Sequence, residues 1–230
     1  MKIPLGLWEG STENAAVATA LLSDLVERGL DPEQGTLFVI DGAKALRKAI
    51  RTVFGDAPVQ RCVRHKERNV IDHLPERERP QVKQRLRRAW ALDDHGRALD
   101  QLKALAAELD RSYPGAAGSL REGLEETLTL TRLGVDGNLK RTLESTNPCE
   151  SMIEIVRKTQ RNVKRWSSGE MALRWTAAGM LEAERQFRKI IGYRELATLV
   201  IAIERDNDRR RAHAAAERTP TKETSMLVTA

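Results

Sequence analysis

Residues 35–69 read GTLFVIDGAKALRKAIRTVFGDAPVQRCVRHKERN, and an acid stands in them at the point where a short apolar run gives way to a helix. Thr36 to Ile40 is nearly continuous in apolar residues and is bounded by Gly35 and by Asp41-Gly42. Such a run predicts a central strand buried on both faces. Asp41 is the first residue after it, and a carboxylate at the carboxyl end of a strand lies in the crevice where open α/β sheets place ligands. The same residue equally suits a cap for the helix starting near Ala43, where Ala45, Leu46, Ala49, Ile50 and Val53 recur at helical spacing. A second short run, Pro58 to Val63, predicts another strand, and Cys62-x-x-His65 follows from it.

Outward from this stretch the chain reads strand, helix, strand at its amino end. Ile3 to Trp8 predicts a strand fragment, Ser11-Thr12-Glu13-Asn14 offers caps, and Ala16, Val17, Ala20, Leu21 and Leu25 give one helix face ending at Arg28-Gly29. Two or three strands make an incomplete sheet. From His65 to Arg141 the pattern is all helix: Val82, Leu86, Ala89 and Trp90 form one face, Leu99, Leu102, Ala106 and Leu109 another, and Leu120, Leu124 and Leu128 a third. Later helices span about Glu170 to Lys189 and Glu195 to Glu204, and residues from about 212 onward are expected to be disordered. The fold class is α-rich α/β. Its expected parts are an α/β core at 1–74, a helical insertion at 75–146, closing helices at 147–205 and a charged tail at 206–230.

The 230 residues carry a net charge of +6, with Arg supplying most of the positive groups. Arg suits bidentate phosphate contact, so the balance points towards nucleic acid, although salt-bridged helix surfaces give the same totals. No segment is apolar enough to span a bilayer, and the start MKIPLGLWEG lacks a signal peptide's apolar region. A cytoplasmic protein is the expectation. Two cysteines, Cys62 and Cys149, are too few for a disulfide framework.

Residues 144–163, ESTNPCESMIEIVRKTQRNV, form the second informative stretch. Asn147 as cap, Pro148 at the first helical position and Glu150 three residues after the cap predict a helix start. Cys149, Met152, Ile153 and Val156 predict its apolar stripe. Arg157, Lys158, Arg161, Lys164 and Arg165 then follow without an acid and with Trp166 among them. Such a stripe suits a phosphate backbone and a stacked base, and it suits a solvated helix face as well. Asp41 and Glu150 could share one crevice beside it. Carboxylate oxygens suit Mg²⁺ or Mn²⁺, and a pair of such ions promotes in-line displacement at phosphorus, normally with a third carboxylate. Glu150 also stands where a capping-box Glu belongs. Cys62 and His65 are half a zinc site at most, with His73 and Cys149 the other candidates, so zinc is not expected.

VIDG at 39–42, QRCVRHKERNV at 60–70 and STNPCES at 145–151, spaced by a helical block, resemble the Mutator-type transposases of bacterial insertion sequences. LGLWEGSTEN at 5–14 and ERGL at 27–30 resemble the same family, and the likeness covers about residues 3 to 190. The resemblance implies a ribonuclease-H-like core with an Asp, Asp, Glu triad and a helical insertion before the Glu. It matches Asp41 to the second Asp and Glu150 to the Glu, as catalytic and metal-binding residues for two Mg²⁺ or Mn²⁺ ions. Cys62 and His65 match a Cys-x-x-His element with a structural or DNA-positioning role. It further implies DNA as partner, both element terminal repeats and target, a homo-oligomer on DNA, and a nucleoid location in a bacterial cytoplasm. The family's first Asp lies upstream of the segment that Lys2 to Glu13 resembles, and no Asp precedes Asp24 here. The expectation is therefore a carboxyl-terminal part of a transposase, inactive alone, with a catalytically dead DNA-binding or regulatory remnant as the alternative and a plain helical interaction domain as a third.

Overall fold

A computed structural model describes residues 2–10 and 14–218. The chain is mostly helical around a small parallel sheet, so its class is α-rich α/β. Helix α1 (Ala15–Glu27) leads to β1 (Phe38–Ile40), α2 (Lys44–Phe54) and β2 (Val59–Arg61). The two strands pair in parallel with Phe38 opposite Val59, Val39 opposite Gln60 and Ile40 opposite Arg61. A parallel pair needs a crossover, and α2 supplies it. One side of α2 is buried through Ala49, Ile50 and Phe54, which pack with Leu22 of α1, Ile40 and Val59 in a single cluster.

The remainder is helical: α3 (Val63–Ile71), α4 (Arg79–Trp90), α5 (His95–Asp110), α6 (Pro114–Arg121), a 3₁₀ turn (Glu125–Leu128), α7 (Thr129–Arg132) and α8 (Gly137–Leu143). Then come α9 (Asn147–Thr159), α10 (Gly169–Arg185), a second 3₁₀ turn (Tyr193–Glu195) and α11 (Leu196–Arg218). The faces expected from sequence, with Leu86, Trp90, Leu102, Ala106, Leu120 and Leu128, meet in one large core that reaches back to Val63 and Val70 of α3. A third cluster joins Leu130 and Leu139 to Leu199 and Ile203 of α11.

The outer edge of β2 is covered by helix rather than by another strand. Gln60 is fully buried, and its amide donates to the carbonyls of Arg61 (2.8 Å) and Thr127 (2.9 Å) while its oxygen accepts from Leu130 N–H (3.0 Å). Thr129 Oγ1 donates to the Val59 carbonyl at 2.6 Å. Side chains thus satisfy backbone groups that a neighbouring strand would otherwise take.

Several expectations are corrected. Ile3 to Trp8 forms no strand, because it has no partner strand; the Leu5 carbonyl is taken instead by Arg28 Nη1 at 2.7 Å. The expected strand over Thr36 to Ile40 shortens to three residues, with Phe38 and Val39 only half-buried, since no strand covers its far edge among the described residues. The second strand stops at Arg61 because Cys62 already caps α3. Of the expected caps for α1, Asn14 takes the role by accepting from Val17 N–H at 2.8 Å, and Ser11, Thr12 and Glu13 lie outside the described residues. The cap of α9 is Thr146 rather than Asn147, and of its expected stripe Val156 is buried while Cys149 and Ile153 are exposed. The last helix does not end at Glu204: α11 runs on to Arg218 with no Gly or Pro inside it to break it. Residues 219–230 of the expected tail lie outside the described residues.

Candidate functional site

Asp41 follows β1 directly and is exposed. Its Oδ1 accepts from Ala43 N–H at 2.9 Å and closes a turn ahead of α2. The residue at the cap position of α2 is Ala43, so the helix-cap role expected of Asp41 is replaced by a turn just ahead of the helix, which uses one carboxylate oxygen of two. Gly42 beside it has φ 109°, and a Cβ there would fall 2.4 Å from Arg61 Nε. Only glycine leaves room for that guanidinium.

A chain of polar contacts then links the end of β1 to the start of α9. The Ile40 carbonyl, adjacent to Asp41, accepts from Cys62 N–H at 2.7 Å. Cys62 is fully buried, and its Sγ lies 3.3 Å from His65 Nδ1 and accepts from Thr146 N–H at 3.4 Å. Thr146 Oγ1 stands 3.3 Å from His65 Nδ1 and donates to Glu150 Oε1 at 2.9 Å. His65 Nδ1 is 3.6 Å from the same carboxylate oxygen. Next to this, Val63 N–H donates to the Glu144 carbonyl at 2.9 Å. The Cys-x-x-His pair is thus a latch that holds the amino end of α9 against α3 and the sheet.

Three of the residues singled out from sequence, Cys62, His65 and Glu150, are joined by these contacts, and Asp41 is linked to them only through the backbone of the adjacent Ile40. The basic residues take no part in them. Arg157 lies seven residues beyond Glu150, about 10 Å along a helix, and Arg161, Lys164 and Arg165 follow α9 as an exposed run. Lys158 is paired with Glu154 at 2.9 Å, and Trp166 is half-exposed. His73 packs against Gly115 and Cys149 is exposed, so neither joins Cys62 and His65. Among the described residues no three His, Cys, Asp or Glu side chains converge as a metal-holding group.

The sequence reading missed Thr146, Arg61, Lys66 and Glu122. Arg61 is 6% exposed, and its Nη1 donates to the Glu122 carbonyl at 3.0 Å while Nη2 reaches Glu122 Oε2 at 3.3 Å. Lys66 Nζ donates to the carbonyls of Ser119 (2.6 Å) and Glu122 (2.5 Å). Burial, followed by the nearby Arg61, lowers the Lys66 pKa to about 8, against the pull of Glu122 and Glu126. Burial opposes ionisation of Glu122, but Arg61, Lys66 and Lys44 together hold its carboxyl below the usual range. Thr146 sits inside the quoted STNPCES, where its spacing of four from Glu150 was a readable signal. Buried Arg61 and Lys66 gave none, because charge in a sequence reads as surface.

No helix among the described residues is long and apolar enough to cross a membrane. The family described as "Transposase, Mutator family" matches residues 2–189. The chain is 29% identical over 153 residues to the transposase for insertion sequence element IS6120 of Mycolicibacterium smegmatis, covering 66% of this chain and 46% of the relative. It is 34% identical over 161 residues to that for ISRM5 of Rhizobium meliloti, covering 68% and 39%. It is 28% identical over 196 residues to the transposase for IS256 in transposon Tn4001 of Staphylococcus aureus, covering 82% and 49%. The chain thus spans about half, or less, of the length of these curated relatives. With the match running from before the α1 helix to beyond α10, the chain belongs to the Mutator family of transposases.

Proposed function

We propose that this chain carries the later two acids of a DNA strand-transfer site of the Asp-Asp-Glu kind, Asp41 and Glu150, on a ribonuclease-H-like core. The observation that supports this is the latch from the Ile40 carbonyl through Cys62, His65 and Thr146 to Glu150, which draws the second acid towards the strand end that bears the first. Both are oxygen donors of the kind Mg²⁺ or Mn²⁺ takes. Two carboxylates without a third do not complete such a site. What these residues do themselves is hold carboxylates in place. Asp41 is fixed by its turn, and Glu150 by Thr146 with His65 alongside.

The partner in this reading is DNA, with element ends and target as substrates and the exposed run from Arg157 to Arg165 as phosphate contacts. The chain by itself performs little or no strand transfer, and the working protein is a homo-oligomer on DNA in the bacterial cytoplasm. A second reading, in which the chain binds DNA without cutting it, fits the finding that no three such donors converge among the described residues.

The test is strand transfer of a pre-cut element end in Mg²⁺ or Mn²⁺, comparing this chain with a version extended upstream by one acid-bearing strand, each with Asp41→Ala and Glu150→Ala. Activity only in the extended protein, abolished by either substitution, supports the triad. An extended protein that binds DNA but stays inert, or one indifferent to both substitutions, refutes it in favour of the binding reading.

A further inference from the structure

Gly42, immediately after Asp41, lines an open groove of about 390 Å³ between α2 and the 122–126 segment. Four cations of α2, Lys44, Arg47, Lys48 and Arg51, line it on one side and the immobilised Arg61 closes it on another. Their spacings of three, four and seven put them on the helix face opposite Ala49 and Ile50. We propose that this groove is a second binding site for a nucleic-acid phosphodiester backbone, separate from the run after α9; its ligand class rests on the reading of the chain as a DNA-acting protein.

Three observations carry it. The charges are unbalanced: two carboxylates, Glu122 and Glu126, stand against five cations in the groove. Lys44 pairs with Glu122 (3.6 Å) and Arg47 with Glu126 (2.6 Å), whereas Lys48 and Arg51 are exposed and face no carboxylate partner among the described residues. Second, Arg61 Nε and Arg47 Nη1 are shut off from solvent and have no acceptor in the protein. Buried N–H groups are almost always paired, and a phosphate oxygen entering between α2 and Arg61 supplies the kind of acceptor that is lacking. The Arg61 side chain is nine-tenths buried and pinned by Glu122, with glycine on two sides, at Gly42 and Gly123, where any Cβ would collide with it. Third, the cations from Lys44 to Arg51 extend about 10 Å along the helix axis, which exceeds one phosphate and fits successive phosphates of a strand rising about 3.4 Å per nucleotide. A polymer, rather than a free phosphate, matches that length.

The site would hold a backbone alongside Asp41, at the carboxyl end of β1. The run after α9 lies beyond the far end of that helix from Glu150.

Fluorescence anisotropy with a duplex of about 30 base pairs, across a salt series, compares the full chain with Lys48→Ala/Arg51→Ala and with Arg157→Ala/Arg161→Ala. Every substituted side chain is exposed, so the fold is retained, and circular dichroism checks this. The groove variant is expected to lose at least about tenfold in affinity at ~0.1 M salt and to lower the log–log salt slope by about two. An unchanged slope in the groove variant, with loss in the other variant, overturns the groove and leaves the DNA reading standing. Absence of salt-dependent binding by the unmodified chain removes both. Displacement of duplex by ~10 mM inorganic phosphate as effective as by competitor duplex overturns the polymer assignment in favour of a free-phosphate site.

Discussion

Lys66 offers a test in which sign and size both follow from the structure. Its side chain on α3 is 0% exposed, and Nζ donates to the Ser119 and Glu122 carbonyls at the carboxyl end of α6. Those carbonyls and the helix dipole favour a cation, but burial and Arg61 outweigh them and bring the pKa from 10.5 to about 8. Between those values the unfolded chain binds more protons than the folded one, so stability rises with pH across the window. The burden of the buried ammonium is fully present below about pH 8 and is relieved as pH climbs through 8 towards 10.5. A shift of this size corresponds to about 3 kcal/mol. Lys66→Met removes the titration. At pH 7 relief of that burden opposes loss of two charge-assisted bonds of ~1.5–3 kcal/mol each, so the pH profile, not the pH 7 midpoint, discriminates. Urea unfolding at pH 7, 8, 9 and 10 should show the natural chain gaining roughly 2–3 kcal/mol on the variant between the extremes, most of the full effect, since pH 10 still lies below 10.5. Parallel profiles would refute the reasoning, and Lys66→Gln serves if the Met variant does not fold. Loss of the Lys66 charge also lowers the potential beside Glu122, so duplex binding should weaken over the same pH range.

Gly42→Ala forces a side chain into φ 109° and onto Arg61, and should destabilise by about 2–4 kcal/mol, read as a shift in urea midpoint. Gln60→Leu strands the Thr127 carbonyl and Leu130 N–H under the sheet; a loss of roughly 2–5 kcal/mol is expected, and a stability within 1 kcal/mol of the natural chain would show that β2 needs no helical cover. Thr146→Val removes the bond to Glu150 at the start of α9 and should cost about 1 kcal/mol in thermal unfolding, with Cys62→Ala adding to it less than independently because both act through one latch.

Helix α2 was legible because its information is local: Ala45, Leu46, Ala49, Ile50 and Val53 recur at helical spacing and determine its buried face whatever the rest of the chain does. The same holds for the apolar faces of α4 and α5, which meet in the core as their periodicity requires, whereas the helix expected over Leu120, Leu124 and Leu128 breaks after Arg121 and resumes as a 3₁₀ turn, with all three leucines still in the core. Strand pairing and caps were less legible. The apolar run before Asp41 gave a strand but not its length, since β1 extends only as far as a partner exists, and Ile3 to Trp8 has none. Gln60 reads as a surface residue and is buried, because Thr127 and Leu130, 67 and 70 residues further on, supply its bonds. The Asp41 and Glu150 pair was named from residue type and resemblance. The contacts that tie Glu150 to Cys62 and His65 through Thr146, with up to 84 residues between bonded groups, exist only in the folded chain. Period and composition act through neighbours along the chain, so sequence alone settles the family, most helices and the buried faces of α2, α4 and α5, but not the stripe of α9 or the end of α11. Bonds between distant segments depend on which surfaces bury each other, and the tertiary structure alone decided the latch, the covered edge of β2 and the Arg61 groove.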